Sequence, residues 1–241
     1  MERKNFLRNS FGLLGSGALL LEACKKASAT AATTTSGSGA DGCIVTPEEV
    51  EGPYPYASGE INNPLSRADI TGGQTGVALA LALTVVNTNN NCAAVPGARV
   101  DIWHCNKDGY YSGYGGQTSY LGTQSYVGQT WLRGYQIADT NGKVTFNTIY
   151  PGWYPGRATH IHLEIFVNNV LKKTTQITFA DSVSDVVHTS ALYSAHGTNT
   201  TRITADGILG NSATDLANET VAVTGSVAAG YSGSITMGIA L

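Results

Sequence analysis

Two histidines in the second half of the chain are placed as metal ligands often are. His160 and His162 are two residues apart in an apolar segment, and in a β-strand such residues project from the same face. The opposite face is expected to face the core and carries the alternating apolar residues Ile161, Leu163, Ile165 and Val167. Adjacent imidazoles on one face suit a shared metal ion, although a lone His-x-His also occurs by chance on surface strands.

Tyrosines near this histidine pair could supply anionic oxygen ligands. Tyr154 lies six residues before His160 on a loop constrained by proline and glycine, close enough to fold back over the same ion. Tyr110 and Tyr111 follow a second predicted strand after a turn at 107–109. Phenolate is a hard ligand that, with imidazole, favours iron(III). A trivalent cation would keep these phenols, whose ordinary pKa is about 10, deprotonated at neutral pH.

Short strands separated by turns would position these residues. The predicted strands cover 77–86, 98–105, 132–138, 143–149, 159–167, 170–178, 220–224 and 234–241. The sequence Asp139–Gly142 predicts a hairpin turn, and Asn168-Asn169 predicts another. Only 181–193 favours a short helix. This pattern is typical of a β-sandwich or barrel, and we predict an all-β fold: a single β-sandwich domain with long active-site loops.

The N-terminus has the pattern of an export signal. Arg3, Lys4 and Arg8 precede an apolar run at 11–21, which is too short to cross a bilayer and suits a signal peptide. The basic residues resemble a twin-arginine signal, and the residues up to Cys24 resemble a lipoprotein processing site in which Glu22 is unusual. The alternative is an amphipathic helix with a structural Cys24. We expect an exported protein, periplasmic or anchored to the membrane through a lipid on Cys24.

The remaining organisation follows from composition. Residues 1–24 are the predicted signal peptide, 25–42 a flexible linker rich in Ala, Ser, Thr and Gly, and 43–241 the folded domain. An oxidising compartment would permit one disulfide. Cys43 and Cys92 lie in loop-like sequence, so we expect them to pair and Cys105 to remain buried and free.

Charge excludes some partners. The chain has 241 residues, a net charge of −3, 42% hydrophobic and 13% charged residues, and no basic cluster outside the first 26 residues. Neither nucleic acid nor an acidic polymer is an expected partner.

Three segments carry a resemblance to a known family. These are Val100–Cys105 through Tyr111, Tyr150–Tyr154 through His162, and Thr46–Tyr54. Together they resemble the intradiol ring-cleavage dioxygenases, in particular the β-subunit type of protocatechuate 3,4-dioxygenase. The likeness extends from Cys43 to about Phe179.

The resemblance implies an iron(III) enzyme that cleaves catechol-type rings with O₂ between the two hydroxylated carbons, giving muconate-type diacids. It places the metal ligands at Tyr111, Tyr154, His160 and His162. By the same resemblance, Arg157 stabilises anionic charge on the substrate and Gln176 lies near the ring. Tyr154, on its Pro/Gly loop, is expected to leave the metal and accept a substrate proton.

The sequence also departs from the family. The loop from Tyr154 to Arg157 is short, and Gly156 stands where the catabolic enzymes have a bulky aromatic residue. A counterpart of the helical dimerisation domain of catechol 1,2-dioxygenases is missing. We therefore expect a more open pocket and leave the substituents of the catechol and the oligomeric state unassigned.

Other residues receive structural interpretations. We expect His104 to be a hydrogen-bonded core residue and His188 and His196 to be solvated. Arg133 is expected to form an ordinary salt bridge, and the alternative is that it lines the pocket. The tyrosines of the loop 114–130 either contact an aromatic substrate or pack as a surface loop: Tyr114, Tyr120 and Tyr126.

Two other functions fit parts of this pattern. One is an exported β-sandwich binding module without catalytic activity, and the other is a zinc hydrolase that uses the same ligands. Zinc does not need two tyrosinates. Colour separates these hypotheses, because iron(III)–tyrosinate absorbs visible light and zinc does not.

Overall fold

A computed structural model describes residues 43–55 and 65–241. The predicted signal peptide (1–24), the linker (25–42) and the lipidation site at Cys24 lie outside the described residues. Within the described ranges, no helix has the length and apolar character needed to cross a membrane.

Strands dominate the described chain. They are β1 (Ala78–Asn87), β2 (Ala93–Ala94), β3 (Arg99–Trp103), β4 (Gln117–Ser119), β5 (Gly122–Gln124), β6 (Arg133–Ile137), β7 (Lys143–Ile149), β8 (His160–Val167), β9 (Val170–Thr178), β10 (Ala222–Ser226) and β11 (Gly230–Ile239). The helices are α1 (Asp181–His188), α2 (Ala213–Glu219) and a 3₁₀ turn at Ile203–Ala205. The all-β prediction is confirmed.

The strands form two main sheets that pack as a sandwich. One has the order β10-β11-β1-β2, with β7 also paired to β1, and β1 runs parallel to β11. The other has the antiparallel order β6-β3-β8-β9, and we call it the site sheet. β4 and β5 form a separate hairpin.

The hydrophobic core contains the inner faces of both sheets. Alternate residues of β1 are fully buried in it: Leu79, Leu81, Leu83 and Val85. Ile161, Leu163 and Ile165 of β8 belong to the same cluster, and Val167 packs against it. The predicted core face of β8 is therefore confirmed, and His160 and His162 must lie on the outer face of the site sheet.

The turn at Asp139–Gly142 does not close a hairpin, which corrects the sequence prediction. The turn itself forms, with the Asp139 carboxylate accepting the backbone N–H groups of Asn141 and Lys143. However, β6 pairs with β3 while β7 pairs with β1, so this turn carries the chain from one sheet to the other. The turn residues behave as the sequence predicts, but the partner of each flanking strand is decided by long-range packing. The Asn168-Asn169 turn, with φ of 52° and 61°, does join β8 to β9 as predicted.

Residues 43–55, which we call the N-terminal strap, are tied to the domain at several points. The Cys43–Cys92 disulfide fixes its start, as predicted, and Cys105 is buried and free. Further along, Thr46 exchanges hydrogen bonds with Gly238, Glu49 N–H donates to the Thr174 carbonyl, and Arg133 donates to the carbonyls of Tyr54 and Pro55. The strap is thereby held against the outer face of the site sheet.

Two carboxyl groups lie near each other, Glu49 on the strap and Glu219 on α2. Glu219 is fully buried, and among the described residues no N–H or hydroxyl group donates to its carboxyl oxygens. The carboxyl group of Glu49, in the strap, lies close enough for its charge to act on Glu219. Burial, with the charge of Glu49 adding to it, raises the pKa of Glu219 from 4.5 to about 8.

Glu219→Gln should therefore raise the melting temperature at pH 8.5 and leave it unchanged near pH 5. The folded protein holds a proton that the unfolded chain releases near pH 4.5, so Glu219 destabilises the fold increasingly as pH rises from about 4.5 to about 8, and the loss is complete above that. An increase of about 2–4 °C corresponds to roughly 1 kcal/mol. Glu48→Gln, which changes an exposed carboxyl of the same strap, is the control. A difference between wild type and Glu219→Gln that is independent of pH would contradict the assignment.

Candidate metal centre

Four side chains converge on one point above the outer face of the site sheet. The hydroxyl of Tyr111 lies 3.3 Å from Nε2 of His160 and 3.0 Å from Nε2 of His162. The hydroxyl of Tyr154 lies 3.1 Å from Nε2 of His160, and the two Nε2 atoms are 3.1 Å apart. The structure thus brings together all four predicted metal ligands.

The neighbouring Tyr110 is directed elsewhere. Its hydroxyl donates to the Gly122 carbonyl on β5, at 2.8 Å. The Tyr111 backbone N–H donates to the side-chain oxygen of Gln117 at 2.7 Å. This bond holds the backbone so that the side chains of Tyr110 and Tyr111 point in different directions. Of the two adjacent tyrosines, Tyr111 is the one in the cluster.

The two histidines are buried and neutral. Burial, followed by the positive charges around them, lowers the pKa of both imidazoles. Nδ1 of His160 lies 2.7 Å from the Ala158 carbonyl, which can only accept, so the ring proton is on Nδ1 and the lone pair is on Nε2. His160 therefore presents an unprotonated nitrogen to the centre.

His162 is oriented by packing rather than by a hydrogen bond. Its Nδ1 has no hydrogen-bond partner among the described residues. One ring face is stacked on Trp103, with centroids 5.1 Å apart and planes at 5°. Gly52 of the strap also abuts the ring, because a Cβ at that position would lie 2.8 Å from Cε1 of His162. The strap is thus part of the structure that fixes a candidate ligand.

The two tyrosines differ in burial. Tyr111 is fully buried, stacked on Tyr54 of the strap at 4.8 Å between centroids, and burial raises its pKa well above the ordinary value. Tyr154 is half-buried on a turn; burial raises its pKa to about 12, while the charge of Arg157 acts in the opposite direction. Without a cation, both phenols keep their protons at neutral pH.

This arrangement fits a metal ion with nitrogen and anionic oxygen ligands. Ligand atoms about 2.0 Å from a common ion, at angles of about 90–110°, lie about 2.8–3.3 Å apart. The four distances given above, 3.0–3.3 Å, fall in this range. Among the described residues no cluster of three or more His, Cys, Asp or Glu side chains is suited to a metal, so the oxygen ligands available here are phenolic. Hard phenolates with imidazoles favour iron(III).

The predicted substrate residues lie beside this cluster. Gln176 on β9 is directly opposite His162 on β8, and its Nε2 donates to the Val50 carbonyl of the strap at 2.8 Å. Nη2 of Arg157 donates to Oε1 of Gln176 at 2.5 Å, and the positive charge of Arg157 acts on the phenol of Tyr154. The guanidinium therefore lies near both Gln176 and the less buried tyrosine.

Several residues of the site were missed from the sequence. Trp103 and Tyr54 stack on candidate ligands, Gly52 contacts His162, and Asp206 holds Arg157. Gly52 and Tyr54 belong to a segment that carried the family resemblance, which was a usable signal. Asp206 lies in a connection with no recognisable pattern.

The histidines outside the centre are all buried. His104 was predicted correctly: its two ring nitrogens lie 2.8 Å from the Cys105 carbonyl and the Thr148 hydroxyl. The prediction that His188 and His196 are solvated is wrong, since His188 is fully buried near the Pro151 carbonyl and His196 packs on Trp153 at 4.3 Å. Aromatic rings pack against both side chains: Tyr150 and Tyr193 against His188, and Tyr120 and Trp153 against His196.

The other loop residues are also placed. Arg133 was expected to form a salt bridge; it is buried and donates to the carbonyl of Ser112 and to the carbonyls of the strap. Tyr114 is buried and donates to the Pro55 carbonyl, whereas Tyr120 is exposed and packs on Trp153. Tyr126 packs on Trp131. These three tyrosines follow the packing interpretation.

Comparison with known proteins gives a consistent result. A family model described as dioxygenase matches residues 50–213. Catechol 1,2-dioxygenase 1 of Acinetobacter lwoffii is 28% identical over 149 residues, which cover 54% of this chain and 45% of that protein. Hydroxyquinol 1,2-dioxygenase of Corynebacterium glutamicum is 33% identical over 87 residues, covering 36% of this chain and 25% of that protein.

Solved structures agree with these sequence matches. The intradiol ring-cleavage dioxygenase of Tetranychus urticae superposes with a TM-score of 0.71 at 29% identity, covering 82% of this chain and 95% of that one. The chain spans less than half the length of the curated catechol dioxygenases that it matches.

Proposed function

Since the chain belongs to the intradiol ring-cleavage dioxygenase family, we propose that it binds iron(III) and cleaves catechol-type rings with O₂ between the two hydroxylated carbons, giving muconate-type diacids. The observation that carries this proposal is the convergence of two phenol oxygens and two imidazole nitrogens, which are linked by four distances of 3.0–3.3 Å. A binding module would not need such a cluster.

Tyr111, Tyr154, His160 and His162 would hold the metal. When bound, iron(III) supplies Lewis acidity and a template that brings the catechol oxygens and the reacting ring carbon into position. The cation also reverses the preference of the two buried phenols for their protonated forms.

Tyr154 is the group that we assign to accept a substrate proton. It is the less buried tyrosine and lies on the turn that ends at Arg157, whereas Tyr111 is enclosed by the strap. As a phenolate, its oxygen can take the proton of a catechol hydroxyl and become a neutral phenol, while the positive charge of Arg157 acts on it.

Arg157 and Gln176 would orient the substrate and its charge. The guanidinium is held by Gln176 and remains positive, so anionic charge that develops on the ring oxygens is stabilised where it forms. The strap, through Gly52, and Trp103 both pack against the His162 ring and hold it in place.

The substrate is proposed to be a substituted or large catechol. Gly156 has φ of +85°, and a Cβ added there would meet no atom within 4 Å, so space is open beside Tyr154. No ring carboxylate is strictly required by this arrangement, and we expect broad preference among catechols.

We also propose that the enzyme works outside the cytoplasm. The Cys43–Cys92 disulfide supports an oxidising compartment, as does the signal-like N-terminal sequence. Cys24 is a candidate lipid anchor within this proposal.

The proposal is tested by oxygen uptake with catechol, hydroxyquinol and protocatechuate. The protein loaded with one equivalent of iron(III) should be red-brown and should consume O₂ with several of these substrates. Zinc-loaded protein is the control and should be colourless and inactive. A fully iron-loaded protein that consumes no O₂ with any catechol would contradict the proposal.

A further inference from the structure

Asp206 directly follows the 3₁₀ turn, in the connection that leads to α2, and its side chain is 0% exposed. One oxygen, Oδ2, accepts Nε–H of Arg157 at 2.9 Å and the backbone N–H of Ala158 at 2.7 Å. The other, Oδ1, accepts the backbone N–H groups of Ile208 and Leu209 at 2.9 and 3.1 Å.

All four partners are donors, so the site requires an ionised carboxylate. Burial acts to raise the pKa of Asp206, but the hydrogen bonds from Ala158 and Arg157 and the charge of Arg157 outweigh it and lower the pKa. An amide at this position would direct its NH₂ group at two N–H donors or at the guanidinium. Asparagine is therefore not equivalent to aspartate here.

The two contacts of Oδ2 lead to two parts of the candidate centre. Through Nε, Asp206 fixes one edge of the Arg157 guanidinium, while Nη2 of the same group is fixed by Gln176. Through Ala158, it holds the residue whose carbonyl accepts Nδ1–H of His160 at 2.7 Å and so sets the tautomer of that ring. The negative charge also offsets the guanidinium beside a site that must accept a trivalent cation.

We propose that Asp206 is a positioning residue that aligns Arg157 for the substrate and holds His160 ready for the metal. The inference rests on the proposed function: its metal part rests on iron binding and its substrate part on ring cleavage, and the two parts are measured separately. Asp206 itself does not contact the ligand atoms. Its effect must therefore pass through Arg157 and through the Ala158 carbonyl.

The test compares Asp206→Asn with Asp185→Asn. Asp185, on α1, forms an ion pair with Arg202, which directly precedes the 3₁₀ turn. It therefore ties down the segment that contains Asp206 through a contact that does not involve Arg157. Asp206→Asn should lower the iron(III) affinity, measured by competition with a chelator, by about 10–100-fold. It should also lower kcat by at least about 10-fold in protein that is fully loaded with iron. Asp185→Asn should leave both within about twofold.

A double mutant separates positioning from a general loss of structure. If Asp206 affects turnover through Arg157, then adding Asp206→Asn to Arg157→Ala should reduce kcat by less than about threefold further. Effects on kcat that multiply fully, or a folded Asp206→Asn protein with iron affinity and kcat within twofold of wild type, would overturn the proposal.

Arg157→Lys provides a variant that leaves the buried carboxylate in place. Lysine keeps the charge but cannot bond Asp206 and Gln176 with a rigid fork, so its kcat should approach that of Arg157→Ala. Full activity of Arg157→Lys would show that alignment is not needed and would overturn the proposal even if Asp206→Asn fails to fold. If wild type cleaves no catechol, the proposed function fails, while chelator competition still decides the role of Asp206 in iron binding.

Discussion

Tyr111→Phe is expected to lose most of its iron and visible absorption, whereas Tyr154→Phe is expected to keep much of its iron and turn over slowly. The Tyr111 hydroxyl approaches both imidazole nitrogens from a fully buried position, while that of Tyr154 approaches His160 from a half-buried turn. Removal of Tyr111 should lower iron affinity by more than about 100-fold, beyond what loss of a supporting residue costs. Loss of a proton acceptor at Tyr154 should lower kcat by about 10²–10⁴-fold.

Tyr110→Phe is the matched control for this pair. Tyr110 is adjacent in sequence and similarly buried, but its hydroxyl donates to the Gly122 carbonyl instead of pointing at the centre. This variant should keep its iron and its colour. The measurements are the iron content, the visible spectrum and kcat of the three variants. If Tyr111→Phe and Tyr154→Phe are indistinguishable in all of them, the assignment of different roles to the two tyrosines is wrong.

The second large effect is expected from Gly52→Ala. Gly52 has φ of +80°, and a Cβ there would lie 2.8 Å from Cε1 of His162, a ring that has Trp103 on one face. A contact this close forces either the strap or the imidazole to move. The imidazole can move because no hydrogen bond to Nδ1 holds the ring in place. We expect about 10–100-fold weaker iron binding, measured by chelator competition.

Gly73→Ala separates this contact from backbone strain. Gly73 has nearly the same φ, +82°, but a Cβ there would meet no atom within 4 Å. Both variants should lose about 1–2 kcal/mol of unfolding free energy to the left-handed backbone. Iron affinity should change only in Gly52→Ala, and equal iron affinities in the two variants would show that the strap does not position His162.

The sequence was most informative where local pattern and long-range packing agree. Period-two alternation in β8 assigned Ile161, Leu163 and Ile165 to the core and both histidines to the outer face, and the structure confirms both. The Asn168-Asn169 turn fixed the pairing of β8 with β9, which places Gln176 opposite His162. The ligand set followed from the family resemblance together with this alternation.

Prediction failed where distant segments decide the outcome. Asp139–Gly142 has the residues of a hairpin turn, but β7 pairs with β1 in the other sheet, where its alternate side chains are buried. α2 was missed because it has only 7 residues, although Ser212 accepts the Asp215 N–H as a cap. The burial of His188 and His196, and the contact of Asp206 with Arg157, depend on loops folding over one another, which no local pattern records.

Mass spectrometry of the product formed from a catechol under ¹⁸O₂ tests the central claim most directly. Cleavage between the hydroxylated carbons at a centre built from Tyr111, Tyr154, His160 and His162 predicts a muconate-type diacid that contains oxygen from ¹⁸O₂. A yellow ring-opened semialdehyde would show cleavage beside the diol instead. That product, or a diacid without ¹⁸O, would contradict the assignment of this site.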